Sequence, residues 1–233
     1  MAKTKRHYYS EKELRDIASE LTSAEAIPVN VEVEAEHRVL DLGEVEKLLR
    51  GSENIFLQDC GCRRLHHNCD SPLDTCLAVN VGPNYAEKWP DNHSRRVGVE
   101  EALDALRRSH EAGLVHMAYV FKGEEKPQLI CSCCTCCCHT LGGIVSHGIT
   151  TQILTSRLIA VDDDSKCTGC GKCAERCSLG ARRMVRGRKV YDPTRCFGCG
   201  LCVTTCPSGA IGLVERERRP GRSPDPMPSA RRS

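Results

Sequence analysis

The feature that most constrains this chain is a gapless internal repeat. "CTGCGKCAERCSLGA" at 167–181 and "CFGCGLCVTTCPSGA" at 196–210 agree at eight of fifteen positions with a period of 29. Both copies run C-x2-C-x2-C-x3-C, so Cys167, Cys170, Cys173 and Cys177 recur as Cys196, Cys199, Cys202 and Cys206. Three thiolates two residues apart on a tightly wound loop can reach three corners of one polynuclear cluster. Gly169, Gly171, Gly198 and Gly200 let backbone N–H groups approach the sulfurs. The fourth ligand has to come from elsewhere. Zinc also accepts four thiolates, but structural zinc sites usually join two C-x2–4-C pairs across a longer loop, and close steps in duplicate suit iron–sulfur cubanes better.

Over its whole length the stretch 161–213 resembles the bacterial two-cluster ferredoxins. That resemblance implies a ferredoxin-like domain with two [4Fe-4S] clusters that passes single electrons. It also implies ligands exchanged between the copies: Cys167, Cys170, Cys173 and Cys206 on one cluster, and Cys196, Cys199, Cys202 and Cys177 on the other. Each cluster would staple two halves too small to cohere by burial alone. Ser178 stands where the family has proline, which Pro207 keeps in the second copy; the departure is expected to alter local rigidity or potential and not cluster assembly. Lys166, Lys172, Arg176, Arg182, Arg183, Arg186, Arg188 and Lys189 surround the repeat. They favour the reduced, more negative clusters and offer a docking face to an acidic redox partner, sensitive to salt.

Of eighteen cysteines, ten lie outside the repeat: Cys60, Cys62, Cys69 and Cys76, then Cys131, Cys133, Cys134, Cys136, Cys137 and Cys138 within "ICSCCTCCCHT". Neighbouring side chains on an extended strand emerge on opposite faces, so this run either coils around one cluster or serves two sites. One or two further iron–sulfur clusters built from both groups are expected, with His139 as an extra ligand and His66 and His67, beside Arg63 and Arg64, as ligands or proton donors. Solvated loop side chains and unligated thiols are the bland alternatives. The stretch 55–140 is similar to a cysteine-rich region of uncharacterised 4Fe–4S ferredoxin-like proteins, which implies no reaction. The doubled cysteines differ from the CCG motifs of heterodisulfide-reductase-type subunits, because no glycine follows them.

Patterning gives an α+β chain, with an α/β cysteine-rich domain at 1–140, a connector at 141–160, the two-cluster domain at 161–213 and a disordered basic tail at 214–233. Ser10 and Glu13 form a capping box before a helix of roughly 11–23. Val29, Val31 and Val33 alternate as a strand, and Asp41 precedes a helix carrying Val45, Leu48 and Leu49 that closes at Gly51. "NIFLQD" is a strand running into Cys60. Val99, Ala102, Leu103, Leu106 and His110 mark a helix face, and "LVHMAYVF" pairs with "QLIC" across "KGEEKP".

Formal charge is +2, acidic in front and basic behind. Three Phe, one Trp and five Tyr leave little to stack on bases, so no nucleic acid is expected. The N-terminus lacks the apolar stretch of a secretory signal and no run of ~18 apolar residues occurs, so membrane insertion is not expected and the chain reads as cytoplasmic, where clustered thiols bind metals. Three functions follow: an electron-transfer protein whose ferredoxin unit wires a redox partner to metal centres in front; an iron–sulfur oxidoreductase with a catalytic cluster or dithiol in front; or a redox or iron sensor. Without G-x-G-x-x-G or G-x4-G-K-[ST], an enzyme of this kind would draw electrons from a protein.

Overall fold

A computed structural model describes residues 9–19, 21–27, 34–35, 38–39, 42–147, 153–154 and 156–216. Helix α1 (Glu11–Ser19) opens on the expected capping box: the Ser10 amide donates to the Glu13 carboxylate at 2.7 Å, and the Glu13 amide to the Ser10 hydroxyl at 3.3 Å. It ends at Ser19 and not near 23, because β1 (Leu21–Ile27) is taken up by the sheet, antiparallel to β7 (Val115–Phe121). Strand pairing overrides the helical spacing that Leu21 continues. The short strands β2 (Glu34–Ala35) and β3 (Arg38–Val39) pair with each other. The strand expected at Val29, Val31 and Val33 and most of the expected tail lie outside the described residues; the first two tail positions, 214 and 215, are not disordered but pair in a strand with 158–159.

Helix α2 (Leu42–Arg50) follows as expected, burying Val45 and Leu49 and closing with the Gly51 amide on the Lys47 carbonyl at 2.9 Å. Then come β4 (Ile55–Asp59), α3 (Gly61–His66), β5 (Asp74–Val79), α4 (Tyr85–Lys88), β6 (Arg95–Arg96), α5 (Val99–Glu111), β7, β8 (Leu129–Cys133), α6 (His139–His147) and β9 (Ile153–Leu154). The seven-stranded sheet runs β6-β4-β5-β8-β7-β1-β9. Every neighbouring pair in it is antiparallel except β1 with β9. The front region is therefore α+β, and the α/β expectation is corrected: hairpin-type neighbours, and not βαβ crossovers, build the sheet. The stretch expected as a connector, 141–160, carries most of α6 and all of β9.

The two sheet faces differ in chemistry. Ile55, Leu57, Leu77, Val79 and Ile130 point toward α2 and α5 and form an apolar core with Val45, Leu49, Ala102, Leu103 and Leu106. The alternate positions put Cys76, Cys131 and Cys133 on the opposite face, since side chains of a strand alternate. Leu77 pairs with Ile130 across β5 and β8, which places Cys76 beside Cys131.

Later in the chain, β10 (Leu158–Asp162) pairs antiparallel with β13 (Ile211–Glu215) and ties together the two ends of the repeat unit. Between them lie α7 (Lys172–Arg176), a hairpin of β11 (Arg182–Val185) and β12 (Arg188–Tyr191), and α8 (Leu201–Thr205). Leu158, Ala160, Ile211 and Leu213 supply its core, with Cys173 and Cys196 inside it. Gly198 is required by contact: a Cβ there would sit 2.1 Å from the Leu158 carbonyl oxygen. Among the described residues no helix is long and apolar enough to cross a membrane.

Candidate metal centres

Each copy of the repeat winds into a loop whose second glycine, Gly171 or Gly200, caps the following helix in the left-handed region at φ 80° or 77°. The two helices α7 and α8 lie against each other, so the cysteine after one helix faces the loop of the other copy. Two cavities result. Cys167, Cys170, Cys173 and Cys206 line one, with Lys189 and Ser208. Cys177, Cys196, Cys199 and Cys202 line the other, with Arg182 and Phe197. Ser178 donates its amide to the Arg176 carbonyl at 3.1 Å, a bond proline could not make, and the turn after it repeats in both copies: Gly180 to Cys177 at 3.0 Å, Gly209 to Cys206 at 3.3 Å.

Burial pushes the Cys199 thiol up to about 12 and Cys202 up to about 11. Such thiols ionise only when a metal supplies the compensating charge. Cys206 is held low: burial opposes, but the Ser208 hydroxyl and the amides of Ser208, Gly209 and Ala210 prevail. Arg182 is buried, bridges Asp162 at 2.7 Å, stacks 4.2 Å from the Tyr191 ring centre, and stands beside Cys173 and Cys202, one thiol of each cavity.

The ten remaining thiols form two groups, each drawing on both stretches of sequence. Cys69, Cys134, Cys136 and Cys137 form a knot whose sulfurs all lie within 4.8 Å of one another. The other six form a closed ring of neighbours: Cys60 against Cys76, Cys76 against Cys131, Cys131 against Cys133, Cys133 against Cys138, Cys138 against Cys62, and Cys62 against Cys60. Three come from the sulfur face of the strands, two from the start of α3, and Cys138 from the entry to α6. The doubled cysteines thus serve two sites: Cys133 turns to the ring and Cys134 to the knot. Gly142 allows α6 to approach this turn, its Cβ position being 3.4 Å from the Thr135 carbonyl oxygen.

Arg63 stands between the two groups. Its side chain is buried; Nε donates to the Pro72 carbonyl at 2.9 Å, Nη1 to the Ser132 carbonyl at 2.9 Å and toward the Cys134 sulfur at 3.9 Å, and Nη2 to the Thr75 hydroxyl. It also faces Cys60 and Cys76 of the ring. His139 Nδ1 lies 3.3 Å from the Cys62 sulfur, and burial pushes its imidazole down to about 4. Tyr9 meets His66 edge-on at 4.6 Å and lies beside Cys62. His67 is exposed and Arg64 reaches the Asp91 carbonyl, so neither extends the thiol groups. Arg63 and Tyr9 are the site residues that sequence reasoning missed. A lone arginine after "CGC" and a tyrosine far along the chain carry no spacing signal.

A single apolar cluster joins ring and repeat: Cys133, Cys138, Tyr119, Leu141 and Ile144 pack with Leu179, Phe197 and Leu201, and Cys199 lies against it. Arg176 fixes the same junction, donating to the carbonyls of His110 at 2.5 Å and Glu111 at 2.7 Å. Of the expected docking face, Arg182 is buried, Arg176 faces this junction, and Lys189 is held by Asp162 at 2.9 Å and Asp164 at 3.1 Å. Lys166, Lys172, Arg183, Arg186 and Arg188 remain exposed, as does Cys170.

The stretch 166–210 matches the model of the 4Fe-4S dicluster domain. This match indicates binding of 4Fe-4S clusters and, with it, iron–sulfur electron transfer with a redox partner. Among curated proteins none matches the chain.

Proposed function

We propose that the chain is an electron conduit in which the unit at 161–213 holds two [4Fe-4S] clusters and feeds a metal centre in the six-thiol ring. In this reading Cys167, Cys170, Cys173 and Cys206 hold the outer cluster, and Cys196, Cys199, Cys202 and Cys177 hold the inner one. A redox protein with an acidic rim docks over Cys170 and the exposed arginines of the β11–β12 hairpin. The observation that supports the reading is the shared apolar cluster, to which Phe197 and Leu201 of the repeat and Cys133 and Cys138 of the ring all belong and against which Cys199 packs. Anaerobic iron and sulfide counting tests it. About twelve or more irons per chain are expected; about eight, the content of two cubanes, would leave the conduit nothing to feed and overturn it.

A second reading makes the ring catalytic. A cleft of about 690 Å³, lined by Gln58, Tyr85, Trp89 and Phe121, opens on the ring's side of the sheet, and Tyr85 on its wall lies near Cys76 and Cys131. His139, a neutral imidazole 3.3 Å from the Cys62 sulfur, puts a second proton-relaying side chain beside the ring. A small molecule that perturbs the spectrum of one centre only would select this reading.

A further inference from the structure

The knot and the cavities of the repeat are built to different scales. Zinc holds thiolates at ~2.3 Å, so the sulfurs of a tetrahedral ZnS4 site stand roughly 3.8 Å apart along each edge. In a cubane each thiolate hangs outward from its own iron, and the four sulfurs stand roughly 6 Å apart. The Cys69 and Cys134 sulfurs are 3.8 Å apart, those of Cys136 and Cys137 are 4.0 Å apart, and all four lie within 4.8 Å of one another. Among the described residues no other group of three or more metal-binding side chains is gathered so tightly. The eight repeat cysteines supply an internal standard: they line two hollows, and no three of them gather within this limit.

We propose that Cys69, Cys134, Cys136 and Cys137 hold a single tetrahedral zinc ion and not an iron–sulfur cluster. Four thiolates on a divalent ion leave two negative charges, and the surroundings answer them. The Ser71 hydroxyl and amide donate to Cys69, the Asn68 amide to Cys137, and Arg63 points at Cys134. The Asn68 side chain also donates to the Cys136 carbonyl at 2.7 Å, holding the turn in place. The ion clips the irregular segment after α3 to the turn between β8 and α6, a structural role that leaves redox chemistry to the ring. The C-x-C-C spacing with a remote fourth cysteine is unlike paired C-x2–4-C, which is why the sequence does not announce zinc.

The test is metal analysis and X-ray absorption on the full chain, purified without oxygen from cells supplied with iron and zinc. About one zinc per chain is expected, its absorption edge fitting four sulfurs at ~2.3 Å with no neighbouring metal. Cys69→Ser should lose that zinc while Cys62→Ser, in the ring, keeps it. Cobalt(II) exchanged into the wild-type chain should give the visible bands of a tetrahedral tetrathiolate, a readout that survives if Cys69→Ser does not fold. Absence of zinc, with cobalt giving no such bands, would overturn the proposal. So would a loss of about four irons with sulfide on Cys69→Ser, since that is the content of a cubane. The conduit stands or falls separately, on total iron and sulfide.

Discussion

The repeat unit and the front region spend their cysteines in opposite ways. In the repeat, eight thiols line two hollows, each hollow taking three cysteines from one copy and one from the other; in the earlier region ten thiols fall into two groups, six neighbours in a ring and four gathered in a knot. Each region also buries one arginine among its sulfurs, Arg182 behind and Arg63 in front. A buried cation between two thiol groups lowers the cost of accumulating thiolate charge there.

The largest effect that would break this contrast concerns cluster retention. Cys199→Ser is expected to remove about four irons or more per chain and to bleach the corresponding share of the visible absorbance, because a cubane that loses a thiolate from a buried site has no water-free substitute. Retention of all iron would show that Cys199 is not a ligand.

Next come the buried arginines. Arg63→Met leaves the Pro72 and Ser132 carbonyls and the Thr75 hydroxyl without their donor and removes the charge beside Cys134; roughly 3–5 kcal/mol of stability should be lost, read from anaerobic urea unfolding. An Arg63→Met chain as stable as the parent would mean that the cation does not answer thiolate charge.

Glycines sharpen the contrast within the repeat. Gly198→Ala forces a Cβ into the Leu158 carbonyl at 2.1 Å and should weaken the inner cluster, whereas Gly169, equally left-handed at φ 69°, has open space around its Cβ position. Gly169→Ala should cost only about 1–2 kcal/mol. Equal losses of stability in urea would show that backbone handedness, and not the contact with β10, sets the requirement.

A smaller effect concerns pH at the junction. His110 and His116 stack in the interior with ring centres 6.0 Å apart, and burial pushes them down to about 4 and about 3. Their folded values lie below that of an unfolded histidine, so between pH ~6.5 and those values the unfolded chain binds more protons. Stability is then full above pH ~6.5 and falls as pH drops, by on the order of 2 kcal/mol for each histidine between pH 7 and pH 5. Comparison of urea midpoints at both pH values should show a smaller fall in His116→Asn than in the parent chain; an unchanged fall would assign the acid sensitivity elsewhere.

Much of this was legible in the sequence because local signals agreed with the tertiary structure. Ser10 with Glu13, Val45 with Leu49, and the hydrophobic runs of β4, β7 and β8 all formed the elements expected of them. The repeat is legible for the same reason, since its spacing is itself the geometry of its loops. Other elements were hidden by competing signals. Strand β5 reads as part of a cysteine motif, and α6 begins with His139 and contains Gly142 and Gly143, which look like a linker. The partition of ten thiols into ring and knot depends on the β5–β8 register and on where α6 starts. Neither is fixed by local spacing. Arg182 read as surface charge because burial beside Asp162 and Tyr191 is a tertiary fact.

The central claim is a path from the outer cluster through the inner one to the ring. Rapid-freeze electron paramagnetic resonance on the full chain, reduced by a photoreduced protein donor, follows it most directly. Cluster signals of the repeat should appear first and a ring signal after them, and Cys199→Ser should delay the ring signal by at least tenfold. A ring centre reduced as fast in Cys199→Ser as in the parent chain would contradict the account.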